Sequence, residues 1–543
     1  MLAQHCAVVD DRTGRGHVEA PVADSRARHR APRGGGARIA PSRFRQATLL
    51  ALALSALTCA AVAVASDSIF VDGFEPACPG AAPGVAPGIG SALLLRGTVV
   101  TPEIAFVGEV LVQGDTIACA AASCAGQAGA GTATIIETKG MIFPGLINAR
   151  TAVLFDLFDE TDWAPSHLYT NHNGWTSEAR YGALVDAKQY LNGETSTVDH
   201  GCEMDKYGEL KGLVAGTTSI VGAANAANKT CYGSLARTID QTPNDLGADY
   251  IQVATLFPTT SAADSVCTNF GNGSTHAYLI NIAEGTDAPA LNEFTQLTTI
   301  TTTDGCLLAP QTSIVHGTAL GSAEFTTMAG AGMSLVWTPH SDVTLYGQSA
   351  NVPLAISKGI NVALGTSWSI TGSHNLLDEL RFADHVDKTT FGDVLTPFDL
   401  VQMATTHAAK TLDLDAVLGS IEVGKKADLM VVAGARGACV APWSTLVNTH
   451  PADLSLVMVG GVPLYGDVSL QAAAPAVPGC EAFDVCGVAK FVCVAEAGGT
   501  VSNKFGQTLA DITSTLTQDL ASYDALGLTQ WTFSPLAPLV DCP

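Results

Sequence analysis

Histidine, carboxylate and cysteine side chains are the groups with which this chain could do chemistry, and their spacing carries few signatures. His167, His172, His200, His276, His340, His374 and His407 are scattered without ligand spacing. Each reads first as a hydrogen-bonded structural group. No Gly-x-Ser-x-Gly elbow occurs, which argues against the usual serine-hydrolase layout. No CxxC is matched by a second CxxC or by a His pair, as a structural zinc site would need. Asp156 and Asp159 flank a loop that follows an apolar run, and read as solvated loop acids. That run, 141–158 (MIFPGLINARTAVLFDLF), places Met141–Phe143 before Pro144-Gly145, then Leu146-Ile147, and then polar residues. The pattern is that of a strand delivering side chains to the rim of a sheet or barrel, where active sites are built.

The elements that must position such a rim follow along the chain. Strands are expected at Thr217–Val221, Tyr250–Leu256, Tyr278–Ala283, Ser313–His316, Met333–Trp337 and Asn361–Gly365. Helices are expected between them, at Glu178–Leu191, Ala288–Leu297, Ser322–Ala329 and Asn375–Ala383. Thr396-Pro397 opens another, a cap residue followed by Pro at the first helical position. Strand alternating with helix over this length predicts an α/β chain built as a (β/α)8 TIM-like barrel over 143–416. A doubly wound sheet would need a Gly-rich phosphate turn after its first strand, which is missing. Short alternating runs with turn residues at 92–142 and 417–468 predict β-structure on either side of the barrel.

Three stretches resemble the amidohydrolase superfamily of metal-dependent hydrolases, in its imidazolonepropionase/cytosine-deaminase-like branch. They are Pro144-Gly145-Leu146-Ile147-Asn148, the run Gly372-Ser373-His374-Asn375-Leu376-Leu377, and the closing text Gly419-Ser420-Ile421-Glu422-Val423-Gly424-Lys425-Lys426-Ala427-Asp428-Leu429. The resemblance spans about 92–466. It implies that the flanking β-segments join in one composite β-sandwich, and that the activity is hydrolysis of a non-peptide C–N bond with zinc or another divalent metal. It also implies where the metal ligands should stand. The two histidines of a His-x-His unit fall at Arg150 and Ala152, a third at Asn281, and an aspartate at Ser367, next to Trp368. None of these four is the family's ligand: a guanidinium has no lone pair to offer and Ala has no ligand atom. The expectation is therefore no bound metal and no cofactor. The family's general base and its sixth-strand histidine survive as Glu284 and His316, the two catalytic candidates, with Trp368 and His374 beside the old ligand positions. Arg150 is expected to fill the cavity and to pair with Glu284 within about 6 Å, because an unpaired buried charge costs several kcal/mol. The alternative is a relocated metal held by His172, His316 or His374 with Glu284 or Asp156.

Composition bounds the rest. The net charge of −24 disfavours nucleic acid and anionic membranes as partners, since both need a basic footprint. A small molecule at the barrel mouth is the partner expected; oligomeric state is left open. Residues 1–65 read as a leader with a signal segment, Arg43 and Arg45 preceding apolar Ala47–Ala65 and an Ala63-Val64-Ala65 cleavage pattern. Removing them leaves 18 Lys+Arg against 47 Asp+Glu, a net of −29. The chain is thus expected in the periplasm or outside a bacterial cell, or anchored in the membrane if the signal is retained. Twelve cysteines lie beyond Cys6 and Cys59, an even number suited to an oxidising space. Cys119 and Cys124 are close enough for a loop disulfide, and Cys480, Cys486, Cys493 and Cys542 crowd the tail. Residues 66–91 read as a linker and 469–543 as a small Cys-bearing extension. Two functional readings stand: a hydrolase with a reorganised site, or a catalytically silent relative that binds a ligand. A structural surface protein is a third class, suggested by the tail.

Overall fold

Two systems of strands carry the chain in the computed structural model. It describes residues 83–542 apart from 223–230, 232, 234, 241–245, 247–250, 256, 435–440, 476–479 and 495–505. The expected leader and most of the expected linker lie outside the described residues. Among the described residues no helix is long and apolar enough to cross a membrane.

The first system is one ten-stranded sheet. Its N-terminal strands are β1 (Gly84–Ala86), β2 (Leu93–Val100), β3 (Ala105–Gln113), β4 (Thr116–Ala121) and β5 (Thr134–Pro144). The second system is two parallel sheets: a three-stranded one of β6 (Leu146–Asn148), β7 (Thr217–Ile220) and β8 (Arg237–Thr238), and a five-stranded one of β9 (Ile251–Ala254), β10 (Ala277–Ile282), β11 (Thr312–His316), β12 (Ser334–Trp337) and β13 (Asn361–Leu364). The chain then returns to the sheet with β14 (Leu429–Ala433), β15 (Leu454–Val459), β16 (Val462–Asp467), β17 (Cys480–Val485) and β18 (Val488–Cys493). Sheet order is β17-β18-β16-β15-β14-β5-β2-β3-β4, with β1 also on β5. Sequence-distant halves are thus joined at β5–β14, where Met141–Pro144 faces Leu429–Val432.

Three expectations shift here. Met141–Pro144 belongs to the ten-stranded sheet, and the parallel strands begin only at Leu146, after Gly145. Glycine is required at 145 because a Cβ there would meet Thr218 Oγ1 at 2.2 Å. Part of the expected linker is a strand, β1, paired to β5. The Cys-bearing extension at 469–543 is built into the sheet: β17 and β18 extend the ten-stranded sheet through β16, and helix Leu509–Ala525 buries Ile512, Leu516, Leu520 and Tyr523.

The eight parallel strands obey period-two packing. Leu279, Val315, Val336 and Ala363 join Ile147, Val221, Ile239 and Ile251 in one apolar cluster. Their neighbours Ile280, Ile314, Leu335 and Val362 belong to the larger cluster. The eighth strand returns to the first: Ala149 N donates to Leu364 O at 3.2 Å and Ser367 N to Arg150 O at 2.9 Å. Asn148 adds a side-chain clamp, its Nδ2 donating to Thr366 Oγ1 at 2.9 Å and its Oδ1 accepting from Thr366 N at 3.2 Å. The stretch between β8 and β9 lies largely outside the described residues. Helices Thr260–Asn272, Ala288–Leu297 and Ser322–Ala331 separate the strands from β9 to β12, and the helices Ala288–Leu297 and Pro397–Met403 start where the sequence places them.

Helix Gly201–Leu213 and strand β8 escape sequence reading for one physical reason. The helix buries Asp205, Lys206, Glu209 and Lys211, so its polar residues do not mark a solvent face. Glu209 anchors β8 and the chain before it, accepting from Gly233 N at 2.5 Å, Leu235 N at 2.7 Å and Thr238 Oγ1 at 2.8 Å. Burial and the neighbouring Glu209 push Asp205 well above the carboxylate range. The described disulfides are Cys119–Cys124, Cys202–Cys231, Cys267–Cys306, Cys480–Cys493 and Cys486–Cys542.

Candidate active site

A cavity of about 290 Å³ opens where the parallel strands end. It is lined by Arg150, Ala152, Asn281, Glu284, His316, Ser367 and Trp368. Seven sequence-identified positions spread over more than two hundred residues therefore meet in one place. Three of the strand ends are strained. Ala283, His316 and Ser367 take φ of 53°, 68° and 65°, a left-handed backbone that costs a non-glycine residue roughly 1–3 kcal/mol. At His316 this accompanies a change of side: Val315 belongs to the apolar cluster of the parallel strands and the next side chain, His316, lines the cavity.

Hydrogen bonds run across the floor. Arg150 Nε donates to Asn281 Oδ1 at 3.3 Å, and Arg150 Nη1 donates to the Thr151 carbonyl. Asn281 Nδ2 lies 3.3 Å from His316 Nε2. His316 Nε2 lies 3.7 Å from Glu284 Oε2, and Nδ1 lies 2.8 Å from Asp342 Oδ1 and 2.9 Å from Thr338 Oγ1. Tyr346 Oη donates to Glu284 Oε1 at 2.6 Å and accepts from Trp175 Nε1 at 2.7 Å. No direct ion pair joins Arg150 and Glu284 among the described residues; Asn281 and His316 link them through Arg150 Nε–Asn281, Asn281–His316 and His316–Glu284 contacts, while the Glu284 carboxylate still acts on the guanidinium electrostatically. Glu284 also accepts from Tyr346.

Electrostatics follow from burial. Arg150 is 4% exposed; burial draws its guanidinium down to about 10, which the carboxylates of Asp240 and Glu284 partly offset. It stays a cation at neutral pH. Burial also lowers His316, but Glu284 and Asp342 outweigh it and leave the ring above its ordinary value. Burial and Glu284 hold the Tyr346 hydroxyl far above the phenol range, so it remains a donor.

Sequence reading missed Tyr346, Asp342, Trp175, Tyr181 and Lys188 around this cavity; Tyr346 is 62 residues from Glu284 and no local pattern links them. His172, expected at the barrel mouth, is at the wall, its Nε2 2.5 Å from Glu293 Oε1. His374 is not at the cavity. It lines another of about 520 Å³, bound to Glu160 at 3.0 Å and to Asp541. Asp156 is buried beneath the wall, and burial raises it to about 6.

The donor set does not suit a divalent metal. The four positions hold a guanidinium, a methyl, an amide already accepting from that guanidinium, and a hydroxyl. Among the described residues no three His, Cys, Asp or Glu side chains come together as a metal site would require. What the floor can offer is acid–base chemistry between Glu284 and the His316–Asp342 pair.

A model of the amidohydrolase family matches residues 269–464. A 5'-deoxyadenosine deaminase of Methanothermobacter thermautotrophicus is 23% identical over 368 residues, 62% of this chain and 85% of its own length. A 5-methylthioadenosine/S-adenosylhomocysteine deaminase of Halobacterium salinarum is 26% identical over 393 residues, covering 67% and 88%. Among solved structures, an atrazine chlorohydrolase from Arthrobacter aurescens in complex with zinc aligns with a TM-score of 0.55 at 18% identity, over 71% of this chain and 96% of that one. A guanine deaminase from Bradyrhizobium japonicum aligns with a TM-score of 0.53 at 16% identity, over 69% and 99%. At such identities the structural likeness speaks for the fold.

Proposed function

Because this chain belongs to the amidohydrolase superfamily, we propose that the cavity is a reworked descendant of a C–N hydrolase site, one that binds a small molecule without a metal ion. What supports this reading most is Arg150: a buried permanent cation, held by Asn281, at a position where the resemblance puts a metal-binding histidine. A metal would lower the pKa of a bound water from 15.7 to about 7. A positioned acid or base alone contributes roughly 10²–10⁴-fold. Ligand binding with little or no turnover is therefore the favoured reading. The second reading is slow metal-independent C–N hydrolysis, favoured by the placement of His316 Nε2 3.7 Å from Glu284 Oε2; there Glu284 would take a proton from water and His316 would return one to the leaving nitrogen.

We also propose that the eight parallel strands close into a barrel and that the ten-stranded sheet is the composite β-domain beside it. The hydrogen bonds from β13 to β6 support closure. Export to an oxidising compartment fits five disulfides among the described residues.

The test is turnover of purified full-length chain on deaminase, amide and lactam substrates, with Glu284→Gln as control. Rates indistinguishable between the two support the binder. Metal-independent turnover that Glu284→Gln abolishes promotes the second reading. Turnover that needs added zinc contradicts both.

A further inference from the structure

We infer that the cavity receives a small organic anion, a carboxylate on a compact planar molecule, and that Arg150 is the group that binds it. This rests on the metal-free reading of the pocket and adds the class of ligand.

Arg150 has five N–H donors in a rigid fork. Within the protein, Nε is used on Asn281 and Nη1 on a backbone carbonyl. Neither acceptor is charged; the carboxylates of Asp240 and Glu284 act on the guanidinium from a distance, but among the described residues none lies within ion-pair distance of it. Nη2 makes no hydrogen bond to the described protein, although the residue is 96% buried and lines the cavity. A buried cation with spare donors at a cavity wall is costly to keep unless something charged meets it. A carboxylate answers that geometry with two parallel, charge-assisted hydrogen bonds.

Glu284 is not competing for this role. Its oxygens are directed to Tyr346 at 2.6 Å and to His316 at 3.7 Å, so a ligand anion has its own place at the Arg150 end. The rest of the wall suits a ring. Phe155, Trp175, Tyr181 and Trp368 line the cavity, and the Trp175 and Trp368 rings lie 5.7 Å apart. A volume of about 290 Å³ is at the small end of ligand pockets, which typically run from roughly 300 Å³ upward. One ring with one acid group fits these limits. Inorganic phosphate would meet Arg150 but leave the aromatic wall bare.

The probes are benzoate, its neutral isostere benzamide, and inorganic phosphate, titrated calorimetrically into the full chain at neutral pH. The expected result is benzoate binding at least tenfold tighter than benzamide and tighter than phosphate. Arg150→Gln should erase the preference for the acid while circular dichroism and melting stay native-like; Arg150→Lys should keep part of it. If Arg150→Gln fails to fold, the wild-type comparison decides alone. Equal binding of benzoate and benzamide, or binding of neither, overturns the inference. Equal binding leaves the metal-free pocket standing, whereas probe binding only after zinc is added removes that reading as well.

Discussion

Arg150 shows how a residue can be located in sequence while its partner is not. Its place just after strand β6, at the cavity, was legible from the Pro144–Asn148 text. Its hydrogen-bond partner was not: charge alone points to Glu284, whereas the guanidinium donates to Asn281 and to a backbone carbonyl and Glu284 accepts from Tyr346. Titration at another residue gives a test. Glu379 is fully buried at the start of helix Leu376–Val386, accepting from His340 N at 3.1 Å, and burial raises its carboxyl to about 8. The unfolded chain releases that proton near 4.5. Between these values the native state holds a proton that the unfolded state has lost, so the contribution of Glu379 to stability falls as pH rises from about 4.5 to 8. Glu379→Gln should therefore match wild type at pH 4 and be more stable at pH 8, by an amount on the order of a few kcal/mol. Denaturant melts at both values check this; equal differences at the two pH values would contradict it.

The elements were legible where burial follows pattern. Strands β10 to β13 and the helices Ala288–Leu297 and Ser322–Ala331 lie within a residue or two of their expected positions, whereas the short helices Pro339–Tyr346 and Val352–Ser357 between β12 and β13 were not legible. Helix Gly201–Leu213 and β8 were not legible, since buried charge replaces the apolar stripe. Both belong to a junction that ties the strands to the sheet. Arg237 in β8 pairs with Asp428 in the closing motif, both buried, and Asp428 Oδ1 accepts from Gly460 N at 2.7 Å. Arg237→Met should destabilise the chain by about 3–5 kcal/mol, because it strands a buried carboxylate. Adding Asp428→Asn should recover part of that loss in chemical denaturation. No effect of Arg237→Met would show that the pair is solvated in solution.

At the scale of the molecule, the C-terminal extension is structural. Beyond the β17–β18 hairpin and helix Leu509–Ala525, the last residues pack against the loop behind the cavity wall: Ala537 N donates to Leu157 O at 3.1 Å and the Phe533 ring meets Phe158. Tyr207 Oη donates to Ala537 O at 2.5 Å. Removal of 469–543 should expose this apolar surface and abolish a cooperative melt, whereas an intact transition in the truncated chain would restore the idea of a detachable tail. The sequence suggested an appendage because its cysteines and polar residues signal a staple; that the staple continues the main sheet needs long-range pairing, which no local pattern encodes.

Metal content weighs all of this most directly. The full chain, expressed in zinc-supplemented medium and purified without chelator, should carry well under one equivalent of divalent metal by plasma mass spectrometry, and its melting temperature should not move with EDTA. One equivalent of tightly bound metal, released when Glu284 or His316 is replaced, would contradict a pocket in which arginine has taken the ion's place.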